Sequence, residues 1–444
     1  MREGLYETLR IGSGAGFAED RIDPAVDLAM HGRLDVLVFE CLAERTIAQA
    51  VAARRLDDAS GFDPLLDERI GEVLAHCVRN HVTIVSNMGA ANPAGAARRV
   101  ADIARRLGLK GLKIAAVQGD DVSDRLESLQ PFTDEGLPYE QPISANAYVG
   151  HQGIVEALRD GADVVLTGRT ADPSLFLAPM AYAFGWDEDD WERLGRGTAI
   201  GHLLECAGQL TGGYFADPGV KDVPNLAGLG FPIAEVRSDG TAVFSKLEGS
   251  GGRLSVATCT EQLLYELHDP SAYLTPDVTA DFSSIRFEDL GEDRVALSGG
   301  GGRERPRRLK VSVGIDEGWL GEGQISYAGP GCVARGHLAL AIVDERLSLT
   351  GVEVLDARFD LIGIDAVSRS SDGDREPYEV RARVACRVRT EAEARRVGRE
   401  VAGLYTNGPA GGGGAASTVK AVVGIVSALI DRDRVVTSLT WEIS

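Results

Sequence analysis

The hydrophobic positions of the first half fall into two alternating textures. Short, mainly apolar runs at 34–39, 82–86, 112–117 and 162–167, with a further one at 9–11, are separated by longer stretches of mixed polarity. Short runs that are apolar at most positions belong to strands buried on both faces of a parallel sheet. The clearest intervening stretch puts Ala97, Val100, Ala101, Ala104 and Leu107 on one stripe of a helix. Three helix starts share a device: Asp23-Pro24, Asn92-Pro93 and Asp172-Pro173 each place a capping side chain before proline, and Asp63-Pro64 repeats the pattern. A further helix at 154–159 is closed by Gly161. The pattern predicts an α/β fold: an N-terminal, mostly parallel sheet with flanking helices.

The texture changes beyond Asp217-Pro218-Gly219 and Gly228-Leu229-Gly230-Phe231-Pro232. We place a boundary there, giving an α/β domain over 1–230 and a C-terminal α+β domain over 231–444. Residues 309–315 and 324–327 read as strands. In 379–389, Val380, Ala382, Val384, Cys386 and Val388 alternate with Glu379, Arg381, Arg383, Arg387 and Arg389, the mark of a sheet with one wet face. Helices at 390–405 and 416–430 and a last strand at 434–442 complete the expectation. Within the Gly-rich loop 406–418, Asn407 and the consecutive Gly411, Gly412, Gly413 and Gly414 precede the apolar positions Val419, Val422, Val423, Ile425, Val426, Leu429 and Ile430. Each ordered glycine costs roughly 0.5–1 kcal/mol against alanine. Such a run fits a backbone that curls tightly or approaches something closely. With Ser417 and Thr418 opening a helix, free N–H groups there would receive an anion; the competing reading is a surface hinge. The Walker spacing fails, because Lys420 follows a valine. Tyr327-Ala328-Gly329-Pro330-Gly331 likewise precedes an apolar helical pattern.

Composition narrows the partners. The 444 residues carry a formal charge of −21, with 44% hydrophobic and 25% charged residues. A chain this acidic has no general affinity for nucleic acid or anionic membrane. An anionic substrate must then be held by local arginines and backbone N–H groups. Arg303, Arg305, Arg307, Arg308 and Lys310 form a basic island suited to the phosphates of a carrier such as coenzyme A, or else a solvated loop. The six cysteines include no C-x-x-C pair, the start has no apolar leader, and no run of apolar residues is long enough for a bilayer. The chain reads as cytoplasmic.

In a doubly wound sheet, ligands bind beyond the carboxyl ends of the strands. Those ends carry Gly12-Ser13-Gly14-Ala15-Gly16, Glu40-Cys41, Asn87-Met88-Gly89, Gln118-Gly119-Asp120-Asp121 and Gly168-Arg169-Thr170-Ala171-Asp172. Gly12, Ser13, Gly14 and Gly16 miss the dinucleotide fingerprint, since Phe17 stands where it needs glycine. They fit a tight turn near a ligand or a neighbouring backbone. Glu40, following a buried strand, suits proton transfer. Asp120 is a candidate base or divalent-metal ligand, its neighbour Asp121 pointing the other way along an extended segment. Arg169 suits a bidentate clamp on carboxylate or phosphate. Asp172 reads first as a helix cap and His151 first as a satisfied structural histidine. No histidine-rich metal motif and no G-x-S-x-G elbow is present, and Cys41 reads as core.

Several segments together carry a resemblance. Ile11-Gly12-Ser13-Gly14-Ala15-Gly16-Phe17, Phe39-Glu40-Cys41-Leu42-Ala43-Glu44, Gly168-Arg169-Thr170-Ala171-Asp172, Gly321-Glu322-Gly323-Gln324-Ile325-Ser326-Tyr327-Ala328-Gly329-Pro330-Gly331 and Tyr405-Thr406-Asn407-Gly408-Pro409-Ala410-Gly411-Gly412-Gly413-Gly414 resemble the acyclic terpene utilisation family, AtuA-like proteins. The resemblance implies catabolism of branched, isoprenoid-derived acids, often as coenzyme A thioesters, and supplies no catalytic residues. Some relatives have an additional small C-terminal domain; its apparent absence here leads us to expect a small separate partner subunit, and we also expect a homo-oligomer. The function expected is a lyase or hydratase acting on a small carboxylate or acyl-CoA. Glu40 or Asp120 would serve as acid/base and Arg169 as clamp. Asn87, Asn407 and the two glycine segments would bind the substrate. The metal is left open. The alternative is a non-catalytic acyl-CoA-binding subunit of a hetero-oligomeric complex; a nucleotide-dependent oxidoreductase is disfavoured by the failed fingerprint.

Overall fold

The computed structural model describes residues 6–131, 142–368 and 377–444. Its contacts divide the chain into two units, Met1–Gly314 with Ile425–Ser444, and Ile315–Gly424.

The first unit is built on a ten-stranded sheet. Its centre is parallel: Thr8–Ala15, Val36–Phe39, Thr83–Ser86, Val164–Thr167 and Lys113–Gln118 lie side by side in that order. These are the five strands expected from the apolar runs. Alternate side chains go to opposite faces, and both faces are covered. Val36, Val38, Val85 and Val165 enter one core with the helices Gln152–Arg159, Asp172–Phe184 and Trp191–Leu204. Leu37, Phe39, Ile84 and Leu166 enter a second core with Asp23–His31, Leu66–Asn80 and Pro93–Arg106. The fold class is therefore α/β, as the pattern predicted.

The expected boundary at residue 230 does not match this division. Pro232–Arg237 pairs antiparallel with Thr8–Ala15, placing Ala234 beside Ile11, so the chain beyond 230 continues the same sheet. The opposite edge is closed by Ser438–Ile443 against Lys113–Gln118. The aspartate–proline starts also differ from expectation. Of those three helices, only Asn92 caps with its side chain, accepting from Gly95 N at 3.0 Å. Asp172 is the first residue of its helix and turns elsewhere.

Gly12 and Gly14 are part of a strand, not of a loop. A Cβ on Gly14 would lie 2.5 Å from the Phe39 ring, and one on Gly16 would lie 2.6 Å from the Cys206 backbone. These glycines admit close neighbours, which is the backbone-approach reading of the sequence.

In the second unit, the strand Arg308–Ala328 pairs through residues 319–328 with Glu379–Val388, which pairs in turn with Val354–Ile362. The expected strands at 309–315 and 324–327 are thus one. Val380, Ala382, Val384, Cys386 and Val388 face the helices Cys332–Leu349 and Glu391–Ala402 in a third core. The opposite face is wet: Arg383 bonds Glu322 at 2.6 Å and Asp360 at 2.8 Å. The glycine run needs correction. No helix follows it; Gly413–Asp431 is a strand. The positions taken as a helical stripe are mostly valine and isoleucine, whose branched side chains favour a pleated surface. A Cβ on Gly411, Gly413 or Gly414 would meet nothing, whereas Gly412 lies against Ile325 and Tyr327. The anion site that depended on a helix start loses its basis.

Candidate active site

The carboxyl ends of the parallel strands open into a cleft of about 1180 Å³ in the first unit, at or above the usual size for a small-molecule site. Glu40, Asp172, Glu205 and Glu266 line it, together with Tyr148, Cys206 and Tyr273. Arg307, Arg308 and Lys310 line it as well.

Glu40 ends the strand Val36–Phe39 and is buried. Its Oε1 accepts from Leu42 N at 2.8 Å and from Asn87 Nδ2 at 2.9 Å. Asn87, fully buried, also accepts from Cys41 N at 2.7 Å, so its orientation is fixed from both sides. Burial first, then the nearby charge of Asp172, pushes the Glu40 carboxyl up to about 8, against the opposing pull of Arg169 and its two hydrogen bonds. At neutral pH it holds its proton in a cleft, the state a general acid needs.

Arg169 is 1% exposed. Its guanidinium donates to Leu42 O, to Thr170 O at 2.8 Å and to Asp172 Oδ1, and it stands 4.4 Å from the centre of the Tyr148 ring. Both terminal nitrogens are engaged inside the protein, while Nε is buried without a partner, so Arg169 holds the wall rather than offering a bidentate clamp to substrate. Asp172, expected as a cap, is the carboxylate it holds. Its pKa is raised by burial, with Glu44 adding to the effect and Arg169 opposing it.

Asp120 does not line the cleft wall. Its Oδ2 accepts from Arg169 N and Asn146 Nδ2, each at 2.9 Å, and burial raises its pKa. A Cβ on Gly168 would strike this carboxylate at 2.3 Å. Asp120 therefore shapes the turn that carries Arg169. Asp121 accepts from Ser123 N at 3.0 Å, a local capping contact. His151 Nδ1 lies 2.8 Å from Asp277 Oδ1, and Asp277 also binds Ser174 at 2.5 Å. Burial works against Asp277, yet His151 and Ser174 hold its pKa below the ordinary value. That network is internal and structural. Burial drives the Cys41 thiol far up, which leaves it unreactive.

Gly16 lines the cleft, but its N–H donates to Asp20 Oδ2 at 2.8 Å. Ser13 is buried in the strand with its hydroxyl unpartnered. Asn407 caps a short helix through Gly403 O at 3.1 Å, and with Gly411, Gly412, Gly413 and Gly414 it belongs to the second unit.

The sequence reading missed the link between wall and rim. Lys310 Nζ donates to Glu44 Oε1 at 3.0 Å, which also accepts from Tyr148 OH at 2.5 Å. Although Glu44 is partly desolvated, these two partners bring its pKa down to about 2. Tyr148 thus carries Arg169 on one side and Lys310, 4.8 Å from its ring centre, on the other. Glu44 stood in a quoted motif, but nothing in its spacing signalled Tyr148 or Lys310 as neighbours. Arg432 shapes the mouth, donating to Pro276 O at 2.6 Å and Pro306 O at 2.9 Å. Among the described residues, no group of three or more His, Cys, Asp or Glu gathers in a geometry able to hold a metal ion. Among them too, no helix is long and apolar enough to cross a membrane.

Residues 9–441 match the family described as acyclic terpene utilisation family protein AtuA. The chain belongs to this family. Membership associates this AtuA-family protein with the utilisation of acyclic terpenes, a catabolic role. No curated protein and no solved structure gives a significant match.

Proposed function

We propose that this AtuA-family protein is a catabolic lyase or hydratase acting beside the carbonyl of a small branched acid carried as its acyl-CoA thioester. The observation that carries this reading is the division of one cleft into a buried acid wall around Glu40 and a basic rim at Arg307, Arg308 and Lys310. A free carboxylate pushed into the acid wall would meet Asp172 and Glu205. A thioester carries no charge at its reacting end, and the carrier's phosphates suit the rim. Arg307, exposed and without an ion-pair partner among the described residues, is the rim cation most available to a phosphate. Glu40, protonated at neutral pH, would donate a proton to the α-carbon as the enolate collapses, or, once ionised, remove that proton to form the enolate in the reverse direction.

A second reading keeps the binding and drops the chemistry: an acyl-CoA-binding subunit that works with a separate small partner, each in a homo-oligomeric assembly. It is favoured by the commitment of the Arg169 terminal nitrogens and of the Gly16 N–H to internal partners, which takes both expected donors away from an enolate oxygen. The decisive experiment incubates purified protein with a β-methyl-branched unsaturated acyl-CoA in heavy water. Hydration with deuterium at the α-carbon, lost by roughly 10²–10⁴-fold in Glu40→Gln, is the expected result. Tight binding with neither turnover nor exchange, even with a copurified partner present, would leave the binding reading standing.

A further inference from the structure

The cleft wall contains a second proton-holding group that the first has no part in building. The helix Trp191–Leu204 ends at the cleft, and Glu205 follows as its C-cap, its N–H donating to Gly201 O at 2.9 Å. His202, one turn earlier, is 1% exposed. Its Nε2 lies 3.2 Å from Leu263 O and its Nδ1 lies 2.8 Å from Glu205 Oε1. A carbonyl only accepts, so Nε2 carries a hydrogen and the tautomer is fixed. Between Nδ1 and Oε1 there is then one mobile proton, resting on the imidazole or on the carboxyl.

The other carboxyl oxygen completes the case. Glu205 Oε2 is buried and has no partner, on a residue that lines the cleft. An unpaired buried carboxyl oxygen is destabilising, and a ligand group in the cleft would satisfy it. The imidazole is gripped by rings, with Tyr273 5.1 Å and Phe282 5.8 Å away between centroids, and Tyr273 OH stands 3.5 Å from Nδ1. Gln262 Nε2 donates to the His202 carbonyl at 3.2 Å. This is far more support than a helix end needs.

Building on the thioester reading above, we infer that Glu205, held by His202, is the second acid/base group of this cleft and works on the substrate together with Glu40. In the hydration direction, ionised Glu205 takes a proton from water. The oxygen's electron pair forms the C–O bond at the β-carbon. The C=C pair moves to the α-carbon through the enolate, and the α-carbon takes the proton from Glu40. Water is added, nothing is oxidised or reduced, and the proton gained by Glu205 returns to Glu40 through solvent. His202 is a positioning residue: its imidazolium stabilises the ionised carboxyl. The groups facing the pair fit this division. Burial raises the Glu205 carboxyl to about 7, with His202 opposing and Asp172 and Glu266 adding to the rise, just below Glu40 at about 8.

The test uses the full-length protein, isotope-labelled at histidine, with senecioyl-CoA as the probe. Nitrogen NMR should show His202 protonated at Nε2 throughout, with Nδ1 changing state between about pH 5 and pH 9 and shifting when the probe is added. In Glu205→Gln, hydration should fall by about 100-fold or more while the circular dichroism spectrum of the folded protein is retained, and Glu205→Asp should recover part of it. His202→Gln should move the pH profile of kcat more than KM. Wild-type rates in Glu205→Gln would overturn the inference. If the wild type itself does not turn the probe over, the thioester chemistry fails separately. The NMR response then decides: a probe-induced Nδ1 shift that is absent in Glu205→Gln supports contact at Glu205, and no shift in either protein overturns it.

Discussion

The wall and the rim of the cleft use charge in opposite ways. At the wall, Glu40 and Glu205 are taken out of water, Asp172 keeps 36% of its side chain exposed beside the buried Arg169, and desolvation is the leading influence on each, raising its pKa. At the rim, Lys310 and Glu44 meet at 3.0 Å with side chains 43% and 39% exposed. Water screens such a pair, which contributes about 0–1 kcal/mol. The wall's charges therefore matter to whether the protein folds and reacts, and the rim's charges to what it recognises.

The sharpest way to break this contrast is to remove the one guanidinium behind the wall. Arg169→Met leaves Asp172 without its partner, and because that carboxylate is 36% exposed the loss is screened below that of a fully buried pair, to about 1–3 kcal/mol. Urea unfolding should show that loss; less than about 1 kcal/mol would mean the wall behaves like the rim. A second effect follows from proton linkage. Glu40 and Glu205 hold protons in the folded state to about 8 and about 7, against an ordinary value of 4.5. Over that window the unfolded chain gives up protons that the folded protein retains, so their stabilising contribution is full at lower pH and shrinks as pH rises. Each group lowers stability by at most about 1.4 kcal/mol per pH unit. Melting curves of Glu40→Gln should be flatter between about pH 7 and pH 8, and those of Glu205→Gln flatter below about pH 7.

The rim predictions are smaller. The double variant Arg307→Ala, Lys310→Ala should weaken coenzyme A thioester binding about tenfold at low ionic strength, or roughly 1.4 kcal/mol, and by less in high salt. Calorimetry at two salt concentrations checks both, and salt-independent weakening would argue against phosphate recognition. Lys310→Met alone should change unfolding free energy by no more than about 0.5 kcal/mol; a change as large as that of Arg169→Met would erase the distinction between the two regions.

What the sequence made legible follows what depends on near neighbours. The five parallel strands appeared because burial on both faces forces runs of apolar residues, and Glu40 stood out because it follows such a run. Arg169 and Asp172 were visible as residue types at a strand end, but their roles were interchanged with those of groups beyond reach of local pattern. The supposed clamp is spent on Leu42 O and on Asp172, and the supposed cap is the carboxylate in the cleft. Glu205 and His202 carry an i,i+3 spacing that could have been noticed, yet only the distant Leu263 carbonyl fixes the tautomer that gives the pair meaning. The helix expected at 416–430 failed because an apolar run of valine and isoleucine satisfies either period, and pairing with other strands decides between them.

The first unit is written in two instalments, with Ile315–Gly424 between them. The edge strand Ser438–Ile443 and the Arg432 bridge between Pro276 and Pro306 both arrive in the second. During synthesis the ribosome must therefore translate the whole of the intervening unit before the mouth of the cleft can be tied. A nascent chain stalled short of residue 425 would carry every acid of the wall but lack the fastening of its entrance.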